Sequence, residues 1–157
     1  MSTDKVQSIY IDDKVCDLHG TLLEIVGVMN RPQCDEAMIQ TAGISLDRAL
    51  FTLLVLVERF GPIGVVDLAD RVGRDHTTVS RQVAKMENLG LIIRQEGSKD
   101  RRIRTATITK HGKAIADRLG HARKKIARRI FEKWNKQDID DFVRLMHRFA
   151  SDIKGDI

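Results

Sequence analysis

Two short amphipathic segments separated by a three-residue turn constrain the fold of this chain more than any other feature. Residues 65–72 and 76–89 both place apolar side chains at helical spacing, and Gly73-Arg74-Asp75 lies between them. Gly90 follows the second segment, where a helix commonly ends in left-handed geometry. The spacing therefore predicts two helices that meet at a tight turn.

Two β-rich stretches follow directly. Leu91-Ile92-Ile93 predicts a strand, the polar residues 95–102 predict a hairpin loop, and 103–108 alternate in the manner of a returning strand. A helix-turn-helix unit followed by a β-hairpin is a winged helix-turn-helix. We expect a mainly α fold with a small β-hairpin.

Helices are predicted on both sides of this unit. Apolar residues from 11 to 29 form a helical stripe, whereas 30–43 contains Pro32 and predicts a loop with at most a short helical turn. Ser45 is a candidate cap for a helix over 46–59, which is apolar on most faces and so predicts a buried central element.

The C-terminal part of the chain predicts two more helices. Thr109 is a candidate cap for a long helix that reaches about Lys133. Asn135, with Asp138 three residues later, resembles a capping box that begins the last helix.

The charges are strongly segregated along the chain. Residues 1–70 hold 5 basic and 11 acidic side chains, whereas 71–133 hold 18 basic and 6 acidic ones, a net charge of +12. The remaining tail is close to neutral, and the whole chain carries +5. A cationic block beside an acidic remainder indicates a polyanion partner, and nucleic acid is the commonest one.

Composition and motifs exclude several other classes. Aromatic residues make up only 4%, which argues against a single-strand base-stacking surface. The sequence has no apolar run of membrane-spanning length and no signal-peptide pattern, so we expect a cytoplasmic protein. It also lacks the common phosphate-loop, metalloprotease and serine-hydrolase motifs, so we expect neither an enzyme nor a cofactor.

The predicted helix over 76–89 is the candidate reader of double-stranded DNA. Its solvent-side residues are of the types that hydrogen-bond base edges and phosphates: Thr77, Thr78, Ser80, Arg81, Gln82 and Lys85. The first of these could instead be ordinary helix-start residues. The hairpin loop presents Lys99, Arg101, Arg102 and Arg104, and we expect Arg94 and Lys99 to contact phosphates.

The central part of the chain resembles the MarR family of bacterial transcription regulators. The matching pieces occur in the family's order: Leu68-Ala69, Val79-Ser80-Arg81, Met86-Glu87, Leu89-Gly90-Leu91-Ile92, Arg94, Asp100-Arg101-Arg102, Thr109 and Gly112. The resemblance implies that Asp100 braces the wing, that Arg102 enters the minor groove and that Arg101 lies on a phosphate. Residues 30–41 match no pattern of the family.

The resemblance also implies a homodimer whose terminal helices intertwine. The whole chain, 1–157, would be one domain, with a DNA-binding lobe over 61–109 and dimerisation helices over 8–30 and 110–155. Such a dimer would bind a palindromic operator, and we expect a repressor. The main alternative is a winged-helix protein-interaction module that binds no DNA.

Release from DNA is expected through a small anionic or aromatic effector. The family's cleft would be lined here by Leu22, Ile25, Met29, Phe51 and Leu54, although a plain hydrophobic core explains these residues equally well. Cys16 offers a second alternative, thiol-based redox sensing. Cys16 and His19 lie three residues apart, but the sequence shows no clear third ligand and we expect no metal site.

Overall fold

The computed structural model describes residues 3–156, which form seven helices and one small antiparallel sheet. The elements in chain order are α1 (Thr3–Met29), α2 (Pro32–Ala42), α3 (Arg48–Phe60), β1 (Ile63–Gly64), α4 (Val65–Val72), α5 (His76–Asn88), β2 (Ile92–Glu96), β3 (Arg104–Ile108), α6 (Lys110–Ile130) and α7 (Lys136–Asp156). The predicted helix-turn-helix and wing are present within this order.

The sheet has three strands rather than the two that the sequence predicted. β3 lies in the middle, where it pairs with β2 through Ile92 and Ile108 and with β1 through Ile63 and Ala106. β1 is two residues long, which is too short to show the alternation that reveals a strand. It joins the start of α4 to the wing.

The hydrophobic core lies beneath the helix-turn-helix, as the apolar α3 segment predicted. Leu50, Leu53, Leu54 and Val57 of α3 are almost fully buried. They lie in one cluster with the apolar faces of the other elements, including Leu68, Val79, Val83, Met86, Leu91 and Leu119. The core therefore holds α4, α5 and the wing to the same central helix.

Residues 30–43 are not a loop, and this prediction was wrong. Pro32 begins α2, because the first position of a helix needs no backbone N–H and suits the fixed φ of proline. The helix ends at Gly43, which has a φ of 63°. The cap of α3 was also misplaced, since the Asp47 carboxylate and not Ser45 accepts the Ala49 N–H, at 3.0 Å.

Several element bounds differ from the prediction by a few residues. α1 begins at Thr3, well before residue 11, and β2 extends to Glu96, which shortens the wing loop. α6 ends at Ile130. The predicted cap residues Thr109 and Asn135 do accept backbone N–H groups in the first turns of α6 and α7.

The terminal helices α1 and α7 leave much apolar surface uncovered. Along α1, Ile11, Val15, Leu18, Val26 and Met29 are all about half exposed or more. On α7 the exposed apolar side chains are Phe142, Val143, Leu145, Met146 and Ile153. None of the helices within residues 3–156 is long and apolar enough to cross a membrane.

Candidate nucleic-acid interface

The turn between α4 and α5 is set by two adjacent local interactions. Gly73 has a φ of 65°, in the left-handed region that favours glycine. The Asp75 carboxylate caps α5, because it accepts the Thr78 N–H at 2.8 Å. Hydrogen bonds from the Thr78 side chain and backbone lower the pKa of Asp75. Thr78 is half-buried, and its N–H takes part in the cap. This fits the alternative interpretation of Thr78 as an ordinary residue at the start of a helix.

One face of α5 is free to meet a ligand. Val79, Val83 and Met86 point into the core, so the opposite face of the helix points to solvent. Thr77 and Arg81 are exposed on that face. Ser80 is half-buried and lines a cleft on the wing side of α5. These three predicted contacts are available to DNA.

Gln82 has a structural role instead. Arg74 reaches from the turn and donates through Nη1 to the Ala49 carbonyl oxygen at 2.9 Å and to Gln82 Oε1 at 3.2 Å. Both side chains are half-buried. The pair attaches the turn to α3, and it engages Oε1 of a side chain that was predicted to contact DNA.

Lys85 is likewise engaged within the protein. Its Nζ lies 2.8 Å from Asp47 Oδ2, so it links α5 to the first turn of α3. This hydrogen bond from Lys85, together with that from the Ala49 N–H, lowers the pKa of Asp47. Lys85, which was predicted to contact DNA, therefore has an acidic partner within the protein. That partner is 38 positions away in sequence, so the helical periodicity around Lys85 did not reveal it.

Arg94 is paired in the same way. Its Nη2 and Nε lie 2.6 and 2.8 Å from Glu87 Oε2, and both side chains are less than one third exposed. The hydrogen bond from Arg94 lowers the pKa of Glu87. The pair fastens strand β2 of the wing to the end of α5, and the phosphate contact of Arg94 stays a prediction.

The wing loop is closed by its own backbone. The Gly97 N–H donates to the Ile103 carbonyl at 2.7 Å, and the Ile103 N–H donates to the Asp100 carbonyl at 3.1 Å. Asp100 Oδ1 accepts the Arg102 N–H at 2.9 Å. A Cβ on Gly97 would lie 2.7 Å from the Asp100 carbonyl oxygen, so this turn needs glycine.

The cations at the tip of the wing have no acidic partner within residues 3–156. Lys99, Arg101 and Arg102 are exposed and take part in no ion pair there. Arg104 makes a long hydrogen bond of 3.4 Å to the Arg94 carbonyl oxygen. The wing therefore presents a concentrated positive charge to solvent.

A cleft of about 860 Å³ separates the wing from the starts of α4 and α5. Its lining includes His76 and Ser80 of α5 and charged side chains of both signs, namely Asp67, Glu96, Lys99, Asp100, Arg102 and Arg104. His76 was not among the predicted contacts, because in the sequence it is only the first residue of a helix. Its position across the cleft from the wing becomes visible only when β1 and the hairpin are placed.

The five predicted effector residues do not share one cavity. Leu22 and Ile25 line a groove of about 410 Å³ between α1 and α7, together with Phe142. Met29 is 68% exposed. Leu54 of α3 is buried in the core, and Phe51 of the same helix packs against that core.

Neither cysteine lies in a recognisable site. Cys16 is exposed on α1, and Cys34 is exposed at the start of α2, where its thiol donates to the Val28 carbonyl oxygen at 3.1 Å. Within residues 3–156 no three His, Cys, Asp or Glu side chains are grouped so as to hold a metal ion.

Comparison with known proteins gives the same fold. Residues 46–103 match the model of the MarR family. Over 104 residues the chain is 33% identical to the uncharacterized HTH-type transcriptional regulator YxaD of Bacillus subtilis, a match that covers 66% of this chain and 73% of that relative.

Solved structures superpose over nearly the whole chain. A MarR family protein from Bacillus stearothermophilus has a TM-score of 0.77 at 17% identity, with 91% of this chain and 97% of that one covered. A MarR transcriptional regulator from Methanosarcina mazei has a TM-score of 0.67 at 20% identity, covering 87% and 99%.

Proposed function

This chain belongs to the MarR family of winged helix-turn-helix transcription regulators, and from that premise we propose that it binds duplex DNA as a homodimer. The observation that supports this most directly is the wing. Lys99, Arg101 and Arg102 project there without acidic partners, beside the exposed Thr77 and Arg81 of α5. Unpaired cations next to an exposed helix face are suited to phosphates and base edges.

The dimensions of the lobe fit B-DNA. A helix of 13 residues such as α5 is about 20 Å long, and the major groove is about 12 Å wide. With α5 in the major groove, the wing reaches the adjacent minor groove. Arg102 at the tip would insert there, because narrow minor grooves concentrate negative potential.

The contact set is smaller than the sequence predicted. Thr77, Ser80 and Arg81 on α5 would read base edges, Lys99, Arg101 and Arg104 would hold the backbone, and Arg102 would enter the minor groove. Arg94, Gln82 and Lys85 act by holding α5 and the wing in place. Lys85 and Arg94 are assigned to support because each pairs with a carboxylate, and Gln82 because it accepts from Arg74, whereas Arg104 makes only a long hydrogen bond to a backbone carbonyl.

A second copy of the chain would cover the apolar faces of α1 and α7. Monomeric soluble proteins rarely expose so much contiguous apolar surface, and two-fold pairing also matches a palindromic DNA site. Light scattering should give about twice 17.8 kDa. The ring centroids of Trp134, the only tryptophan, and Phe142 of α7 are 5.6 Å apart. Because Trp134 lies against this helix, its fluorescence emission should change when the dimer dissociates on dilution. A monomer at micromolar concentration contradicts the pairing.

We propose repression as the sign of regulation and a small effector as the signal. The ligand must favour the lobe spacing that does not fit DNA, because equal affinity for both spacings shifts nothing. Leu22 and Ile25, in the groove between α1 and α7, are the predicted lining residues that could contact it. Titration of salicylate against a DNA complex tests this, and peroxide treatment of the wild type beside Cys16→Ser tests thiol sensing.

DNA binding itself is tested by selecting bound sites from random duplexes. The selected site should bind with an affinity that falls steeply with salt, as phosphate contacts require. Arg81→Ala should weaken binding by about 1–3 kcal/mol per half-site and reduce discrimination against scrambled sites.

Arg128→Ala is the matched control for this experiment. Arg128 is an exposed cation on α6, outside the cleft, and its removal changes the net charge by the same amount. Its effect should stay within the weak long-range contribution of a screened charge. Equal losses for both variants, or no selected site at all, would contradict the proposed interface; the latter result would favour the protein-interaction module.

A further inference from the structure

We propose that His76 contacts a DNA phosphate in its protonated form, so that binding of this protein to DNA is coupled to the uptake of a proton. The inference rests on the proposed DNA binding and adds a contact that the sequence did not indicate. His76 is exposed at the first position of α5 and lines the cleft beneath the wing.

The DNA backbone must pass between α5 and the wing if both elements contact DNA. A major groove and the adjacent minor groove are separated by one sugar-phosphate strand. If α5 occupies the major groove and the wing occupies the minor groove, that strand must pass between them. A cleft of about 860 Å³ lies between α5 and the wing.

The position of His76 within this cleft follows from the periodicity of α5. Val79 points into the core, and positions 76 and 80 lie on the same side of the helix because they are separated by one turn. Both line the cleft, whereas Thr77 and Arg81 lie on the outward face. His76 therefore faces the expected path of the sugar-phosphate strand from α5, and the wing cations face that path from the opposite side.

The charged groups around His76 determine how its own charge affects the cleft. The charged groups that share the cleft with His76 are Asp67 of α4, Glu96 of β2, Lys99, Asp100 and Arg102 of the wing loop, and Arg104 of β3. Asp75 precedes it, and Arg81 lies on the same helix. These carboxylates and basic groups are types that keep their charge around neutral pH, whereas imidazole gains one between about pH 8 and pH 5.

A phosphate in the cleft changes this balance in favour of the imidazolium. Nearby anions stabilise a cation, and a hydrogen bond between two charged groups is about twice as strong as a neutral one. Proton uptake and DNA binding then reinforce each other by linkage. The affinity should rise as the pH falls, by roughly fivefold per subunit between about pH 8 and pH 6.

The experiment measures Kd by fluorescence anisotropy at constant ionic strength. The probe is a mixed-sequence duplex of about 30 base pairs, long enough for two half-sites one turn apart. The variants are His76→Gln and, as a matched control, His111→Gln. His111 is an exposed histidine in the first turn of α6 and does not line the cleft.

We expect wild-type and His111→Gln protein to bind the duplex more tightly at the lower pH. His76→Gln should bind with the same affinity at both pH values, and this affinity should match that of wild type at the higher pH. The inference is overturned if His76→Gln keeps the pH dependence, or if it loses the same factor at both pH values. If wild-type protein binds no duplex at either pH, the proposed DNA binding fails as well.

Discussion

Asp100→Ala should weaken DNA binding even though it removes a negative charge from the DNA-facing wing. Asp100 Oδ1 accepts the Arg102 N–H at 2.9 Å, next to the two backbone hydrogen bonds that close the loop. Truncation leaves that N–H to water and frees the tip that holds Arg102. A net intramolecular hydrogen bond is worth about 1 kcal/mol.

The opposing electrostatic effect is smaller. An exposed carboxylate about 8 Å from a phosphate is repelled by roughly 0.5 kcal/mol in water, and a Debye length of about 8 Å in physiological salt reduces this to about 0.2 kcal/mol. The loss of bracing should therefore exceed the relief of repulsion. We expect binding to weaken by a net of about 0.8 kcal/mol per subunit, or roughly fourfold.

Asp100→Asn separates the two effects. The amide has no charge but keeps an oxygen that can accept the Arg102 N–H. Its affinity, measured by anisotropy at two salt concentrations, should equal or slightly exceed that of wild type. Glu96→Gln removes a carboxylate from the same cleft without this hydrogen bond and serves as a second control. If Asp100→Ala binds as tightly as Asp100→Asn, the carboxylate does not brace the wing.

Five further variants test the internal pairs and the packing around the lobe. Lys85→Met and Asp47→Asn should each lower the free energy of unfolding by about 0.5 kcal/mol, and the two effects should not add in the double variant. Lys85→Met should leave the salt dependence of DNA binding unchanged. A salt slope reduced by about one per subunit would instead mean that Lys85 contacts a phosphate. The lowered pKa of Glu87 means that its ion pair stabilises the fold above the ordinary carboxyl range and that this contribution is lost as the pH falls through the lowered value. The Tm advantage of wild type over Glu87→Gln should therefore shrink on acidification from neutral pH, and an advantage that persists in strong acid would refute the assignment. Gly112→Ala should destabilise the protein by about 2 kcal/mol or more, because the new Cβ overlaps a backbone carbonyl, whereas Gly120→Ala meets nothing within 4 Å and should be neutral or stabilising in a thermal melt.

Local patterns predicted the lobe well because its signals are short-range. Gly73 with Asp75 specifies the turn, and the apolar positions of α5 specify which face is buried. Asn135 and Thr109 were found as caps for the same reason, since a cap needs only a side chain three residues before its N–H. Residues 30–43 were misjudged because proline was taken as a helix breaker, although at a first position it begins one.

The roles of the basic residues could not be predicted locally, because they depend on acidic partners distant in sequence. Lys85 and Arg81 lie four positions apart on one helix, yet Lys85 meets Asp47 and Arg81 has no such partner within the described chain. A count of positive charge treats the two residues alike.

The pairing divides the cationic segment into a supporting set and a contacting set. Lys85, Arg94 and Arg74 fasten α5, the wing and the turn to the rest of the lobe, and all three use partners supplied by α3 or α5. Moving any of these would tilt the recognition helix or the wing without touching DNA. Since α3 begins next to α2 and carries both Asp47 and Ala49, a shift of α3 would reach the recognition helix through the same two contacts. These hydrogen bonds therefore join the start of α3 directly to α5 and to the turn that precedes it.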